Sequence, residues 1–164
     1  MPKQGALLIA KNLKKFGGGF IKHVNKTMGM VSKVMDAEVT KNMSLTDHTQ
    51  ADLDAMGNPY AKKHGPEGFH IHDPWWQVHT QTGELLGSKR SGTVDARFNF
   101  GSIKAAAYVL LDEGEAPHAM DVIYGTSVMV PRPFLLMSIK RKEDEVMGVI
   151  TKNLRDMVHN FRIT

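Results

Sequence analysis

Four of the chain's eight histidines lie in one short segment that also holds both of its tryptophans. In order, the segment contains His64, His70, His72, Asp73, Trp75, Trp76 and His79. His70 and His72 are separated by one residue, so on a strand both side chains would point to the same side, a spacing that metal sites use. Asp73 could supply a third ligand. One hypothesis is therefore a zinc or manganese site in a small metal-dependent nuclease or hydrolase that uses the histidines from His64 to His79.

We favour a second interpretation of this segment, as a contact surface without metal. A catalytic zinc ion usually has three protein ligands with groups behind them that fix their tautomers, and here a single loop would have to supply all of them. The chain has no His-Glu-x-x-His sequence. Adjacent tryptophans are typical anchors against a core or a neighbouring subunit. We therefore predict no catalytic residues, no metal and no cofactor, and we assign Trp75, Trp76, His70 and His72 to an interface.

The composition of the chain excludes several other classes of function. The 164-residue chain contains no cysteine, which excludes disulfides, thiolate metal sites and thiol catalysis. No run approaches the roughly 20 apolar residues of a membrane span, and we expect no membrane partner. The formal net charge of +4 permits contact with phosphates. A third hypothesis is accordingly a toxin-like or DNA-binding module. The length predicts a single domain over residues 1–164.

The first half of the chain predicts three helical segments and a long loop. Residues 5–16 could form a short helix that Gly17-Gly18-Gly19 interrupts, which makes 1–19 a flexible N-terminal segment. From Phe20 to Asn42 apolar residues recur every three or four positions, as on one helical face. Residues 44–87 carry a short helix from about Thr46 to Met56 and then lose periodicity. A connection as long as 58–87 is usually functional or an interface loop.

The second half predicts a small sheet and a final helix. Residues 92–101 alternate with period two and predict a half-buried strand, whereas the apolar run from Ala105 to Leu111 predicts a second strand buried on both faces. Residues 115–126 predict a short irregular turn that could include one turn of helix, and residues 127–130 predict an edge strand. An amphipathic helix follows Pro133, with its apolar face at Leu135, Ile139, Val146, Ile150, Leu154, Met157 and Phe161. The fold class is α+β: a small antiparallel sheet packed by a long N-terminal and a C-terminal helix, with a long inserted loop.

Four stretches in this order resemble one protein family. They are SLTDHTQADLDAMGNPYA, QTGELLGS, VIYGTSVMVPRPFL and the helix that follows. Together they look like the neck or tail-completion proteins of long-tailed bacteriophages, also called minor tail component or head–tail joining proteins. The resemblance covers roughly residues 20–158. Thr82, Gly83 and Leu85 match a Thr-Gly-x-Leu motif with Ser88 trailing, although Gln81 stands where an Asp is common.

Two further motifs complete the match. Tyr124, Gly125 and Thr126 match an aromatic-Gly-Thr motif, with Ile123 in place of a frequent acidic residue. The entry to the last helix matches through Pro131, Arg132, Pro133, Phe134 and Leu135. The residues of these motifs are expected to shape the backbone and pack in the core, and none of them is needed for chemistry. Gly125 should adopt a backbone angle that other residues resist, the two prolines should fix a corner, and Phe134 should anchor it in the core.

The resemblance implies a virion structural protein in the phage neck, present in the host cytoplasm during assembly. It implies a ring of identical subunits with six-fold symmetry or a multiple of it. One face of the ring would bind the connector or head-completion proteins, and the other the tail terminator or tube proteins. The basic pair Lys89-Arg90 is more often a solvated turn than a DNA contact, but in a ring around a duplex it could face the phosphates of double-stranded DNA in the lumen without sequence preference. The resemblance does not distinguish between a completion protein, an adaptor and a terminator of the neck. Tyr124 joins the interface candidates.

Overall fold

The computed structural model describes residues 2–44, 55, 78, 83–99, 102–126 and 131–162, without the side chains of 2–16, 98–99 and 160–162. The elements are α1 (Pro2–Met43), α2 (Glu84–Gly87), β1 (Lys89–Asn99), β2 (Ser102–Leu111), α3 (Ala119–Tyr124) and α4 (Phe134–Arg162). The strands form a two-stranded antiparallel sheet. The α+β class, with a long N-terminal and a C-terminal helix, is confirmed.

The chain divides into two compact units. Unit 1 comprises Met1–Lys33, Gly92–Tyr108 and Asp144–Thr164, and unit 2 comprises Val34–Ser91 and Val109–Glu143. The prediction of a single domain stays a prediction.

Unit 1 joins α1 to β1 and to α4 through specific polar contacts. The side-chain oxygen of Asn25 accepts a 2.7 Å hydrogen bond from the backbone nitrogen of Ala96, a residue buried on β1. The imidazole Nε2 of His23 lies 2.8 Å from the carbonyl oxygen of Asn153. Val31 on α1 and Met157 on α4 are both buried. The two helices and the hairpin thus supply the interior of this unit.

Unit 2 has a hydrophobic core built on Val39, Met43, Val78 and Phe134. Partly buried side chains that pack against it come from α2, β2, α3 and α4: Leu85, Leu86, Val109, Leu111, Val122, Ile123, Leu135 and Met137. Backbone hydrogen bonds close the connections, for example from Asp112 to Ser88 over 2.9 Å and from Val78 to Asn42 over 2.9 Å. The core therefore holds the ends of α1 and β2 together with the start of α4.

The predicted helix break at Gly17-Gly18-Gly19 is wrong, because α1 continues from Pro2 to Met43. Each glycine disfavours a helix by about 1 kcal/mol relative to alanine. The apolar spacing nevertheless runs on across the glycines, from Leu13 through Phe16 to Phe20. A helix whose apolar face is preserved can tolerate such a local cost.

The predicted burial of β2 on both faces is also wrong. Exposed and half-buried residues alternate along the whole strand. Tyr108 and Leu110 lie on its open side, with exposures of 38% and 44%. An apolar run shows which residues tolerate burial, but it does not determine how many faces of a sheet are covered. On β1, Ala96 is buried, whereas Val94, two residues before it, is 51% exposed.

The apolar face predicted for α4 is only partly right. Met157 is buried, but Ile139 and Leu154 are 44% and 39% exposed. The residues buried at the start of the helix are Phe134 and Ser138. A search for apolar periodicity cannot detect a buried stripe that passes through a serine. Residues 115–126, predicted as an irregular turn, contain the six-residue α3.

Several predictions fall outside the described residues. They are the edge strand at 127–130, nearly all of the short helix at 46–56, and the loop at 58–82 apart from Val78.

Candidate functional site

The described parts of the three motifs all belong to unit 2. Leu85 from the first motif, Ile123 beside the second and Leu135 from the third pack against one core cluster. Phe134 is part of that cluster and is 0% exposed. The predicted role of Phe134 as anchor of the corner is confirmed, and Leu135 packs beside it.

Gly83 begins the described part of the Thr-Gly-x-Leu motif and turns the chain into α2. Its φ of 81° and ψ of −6° are left-handed, where glycine is favoured. Ser88 ends this turn and is fully buried. Its hydroxyl donates a 2.8 Å hydrogen bond to the carbonyl oxygen of Leu85, and its backbone nitrogen donates over 2.8 Å to that of Glu84. Ser88 therefore closes the turn from inside.

Gly125 ends α3 with a φ of 73° and a ψ of 174°. This combination is essentially restricted to glycine, so the predicted role of Gly125 is confirmed. Its nitrogen donates a 2.8 Å hydrogen bond to the carbonyl oxygen of Asp121. The preceding residue, Tyr124, is 70% exposed, the highest value among the large exposed apolar side chains of the described residues. The turn thus holds a large aromatic side chain in solvent.

The Pro-x-Pro segment connects this turn to α4. The backbone nitrogen of Arg132 donates a 2.8 Å hydrogen bond to the carbonyl oxygen of Val122. The carbonyl oxygen of Pro133 accepts a 3.0 Å bond from Met137, so Pro133 stands immediately before the first helical residue, Phe134. Pro131 is exposed. The two prolines bracket the entry to α4.

Two polar clusters in unit 2 were not predicted from the sequence. In the first, the ammonium group of Lys89 lies 2.5 Å from a carboxylate oxygen of Asp36 and 2.6 Å from the hydroxyl of Thr40. The hydrogen bond from Lys89 lowers the pKa of the Asp36 carboxyl, with smaller contributions from Ser91 and from the charge of Lys89, whereas desolvation of Asp36 acts in the opposite direction. Because several oxygens surround its ammonium group, Lys89 ties α1 to β1.

The second cluster joins α1 to α4. Glu38 is 6% exposed and lies 3.9 Å from both Arg141 and Lys142. The amide of Asn42 lies 3.3 Å from the Glu38 carboxylate and 2.8 Å from the Ser138 hydroxyl. Since Asn42 and Ser138 are 0% and 1% exposed, no substrate could reach the pair. Both clusters hold the fold together.

The tryptophans and histidines of the candidate interface lie outside the described residues: Trp75, Trp76, His70 and His72. The other members of the histidine cluster, His64, Asp73 and His79, also lie there, as does Thr82. Within the described part of the chain, no group of three or more His, Asp or Glu side chains could hold a metal ion. None of the helices there is long and apolar enough to cross a membrane.

No protein-family model matches the chain, and no curated protein or solved structure resembles it significantly.

Proposed function

We propose that this protein is a structural component of a tailed-bacteriophage virion that forms a ring in the neck and completes the tail or joins it to the head. The observation that carries the proposal is the convergence of the motifs on one core in unit 2, with Tyr124 left 70% exposed beside Gly125. The motif glycines and prolines shape turns, and the motif side chains pack. This pattern is typical of a structural protein that presents a contact surface to its neighbours.

The mechanism is geometric. Each subunit offers two different surfaces, and repeated contact between them closes a ring when the rotation is right. The faces of that ring then bind the connector on one side and the tail terminator or tube on the other. An exposed tyrosine beside a rigid glycine turn suits such a contact, because aromatic side chains are enriched in interface cores.

The test is the absolute mass of untagged protein, measured by light scattering over a range of concentrations, with negative-stain electron microscopy and metal analysis on the same sample. A discrete ring with six-fold symmetry or a multiple of it and no stoichiometric metal is the expected result. Stoichiometric zinc or manganese together with cleavage of DNA would overturn it in favour of the nuclease hypothesis.

A matched pair of variants in unit 2 tests the interface role of Tyr124. Tyr124→Lys should shift rings to smaller species, because it places a charge in the proposed contact. Leu136→Lys introduces the same charge at an exposed apolar position of α4, where the side chain is 52% exposed, and should leave the ring intact. Equal effects of the two substitutions would exclude a specific contact at Tyr124.

A further inference from the structure

The part of α4 in unit 1 carries an apolar face that faces solvent. Met147, Leu154 and Val158 are 55%, 39% and 49% exposed. They follow one another at intervals of seven and four residues, so they lie on one side of the helix. Half-buried Ile150 and the exposed Thr151 lie between Met147 and Leu154, so the stripe is apolar apart from one small hydroxyl side chain. An apolar stripe of this kind marks a contact surface when it is larger than scattered single residues.

The C-terminal half of this stripe borders a shallow depression. The open cavity has a volume of about 360 Å³ and is lined by Leu154, Arg155, Val158 and His159. This depression could accommodate side chains of a second helix that packs along the stripe.

Charges of opposite sign flank the stripe at its two ends. Asp144 precedes Met147 by three residues, and Arg155 precedes Val158 by three, so each is a side-chain neighbour of the stripe. Asp144 and Arg155 are separated by eleven positions, about three helical turns, so both charges lie on the same side, roughly 16 Å apart. Both are exposed, and within the described part of the chain neither has an ion-pair partner.

This arrangement is complementary to itself when the second helix runs antiparallel. The midpoint between Met147 and Leu154 falls between residues 150 and 151, and the midpoint between Asp144 and Arg155 falls between 149 and 150. The two midpoints differ by one residue, about 1.5 Å along the axis. A single two-fold axis near Ile150 therefore sets Met147 against Leu154 of a second copy, and Asp144 against Arg155 of that copy. The symmetry makes each of these contacts occur twice.

We propose that this face of α4 is a self-association surface, on which a second copy of the chain packs its α4 antiparallel around a two-fold axis near Ile150. A two-fold contact uses the same patch on both subunits, as this symmetry requires. One helix pair buries less than the roughly 1,200 Å² at the lower limit of stable interfaces, so the contact is a weak, concentration-dependent one. It uses a different surface from that around Tyr124 and does not depend on the proposed neck function.

Opposite charge reversals test the geometry without identifying any other partner. The Asp144→Arg variant should repel itself, because its introduced arginine would meet Arg155 of the other copy twice. Arg155→Asp should repel itself in the same way through its two aspartates. Mixing the two full-length variants restores both pairs. Titration of one into the other by calorimetry should therefore give an association constant at least tenfold above the self-association of either variant.

Asp156→Arg is the matched control. It makes the same charge change as the Asp144 variant, but Asp156 follows Leu154 by two residues and so lies away from the stripe. Its mixture with Arg155→Asp should show no such gain. A mixture of the two stripe variants that associates no better than each alone, or a control mixture that gains as much, would overturn the proposal. Far-ultraviolet circular dichroism of each variant verifies that it is folded.

Discussion

The side-chain amide of Asn42 donates a 2.8 Å hydrogen bond to the hydroxyl of Ser138, and both residues are almost completely buried. The hydroxyl of Ser138 in turn donates to the carbonyl oxygen of Phe134 over 2.6 Å. In unit 2, α1 and α4 are thus joined by a chain of polar groups inside a hydrophobic core. Buried polar groups are costly unless they are paired, so each member of this chain depends on the others.

Replacing Ser138 with alanine should destabilise the protein by about 1–3 kcal/mol, because the amide of Asn42 loses an acceptor in a site that water does not reach. Urea unfolding followed by circular dichroism measures the change. Thr151→Ala, at an exposed position of the same helix, is the control and should change stability by less than about 0.5 kcal/mol. Equal effects at the two positions would show that the buried hydrogen bond contributes nothing.

The contact between Asp36 and Lys89 predicts a specific pH dependence of the free energy of unfolding. Because Lys89 lowers the pKa of Asp36 in the folded protein, the folded state binds a proton at this site less readily than the unfolded chain does. The contribution of Asp36 is therefore fully present above its unfolded pKa and is lost as the pH falls through the lower, folded value.

Asp36→Asn should remove this contribution. The difference in unfolding free energy between wild type and the variant should be constant from pH 7 to pH 5 and should shrink as the pH falls below about 4, near the unfolded pKa of an aspartate. Comparing the two proteins cancels the titration of the other carboxylates. A difference that does not change with pH would contradict the assigned contact. Lys89→Met should cost about 1.5–3 kcal/mol at pH 7, in the range of hydrogen bonds to charged groups.

The sequence predicts the positions of α1 and α4 and the hairpin because their apolar residues recur with the period of the element. Val31 and Val39 are buried where the period of α1 places them. It does not predict that Asn42 and Ser138 are buried, since a polar residue carries no periodic signal and its partner lies on a distant element. The only signal for Ser138 is its position four residues after Phe134, on the same face of the helix.

The motif turns could be predicted because their residues restrict the backbone. Glycine at position 125 and prolines at 131 and 133 leave few conformations, and the observed turn is one of them. The cluster of Asp36, Lys89 and Thr40 could not be predicted in this way. Fifty-three residues separate Asp36 from Lys89, and nothing local to either one marks it as the partner of the other.

The two motif glycines should respond differently to substitution. Gly83 is left-handed with ψ near zero, a conformation that asparagine also adopts. Gly125 has ψ of 174°, which other residues avoid. We therefore expect Gly125→Asn to destabilise the protein by about 1–3 kcal/mol and Gly83→Asn by less than about 1 kcal/mol. Thermal unfolding followed by circular dichroism distinguishes the two. A larger loss at Gly83 would reverse the assignment of strain.

The continuous course of α1 through its glycines predicts that alanine is favourable there. A Cβ atom added at Gly17 or Gly18 meets nothing within 4 Å. Alanine also reduces the freedom of the unfolded chain, so each substitution should raise stability by about 0.4–1 kcal/mol and increase helical ellipticity. Gly29→Ala is the control, because Gly29 lies further along the same helix and its added Cβ also meets nothing within 4 Å. If alanine stabilises the protein at Gly29 but destabilises it at Gly17 and Gly18, the glycines require a non-helical backbone, and the break predicted from the sequence would be right after all.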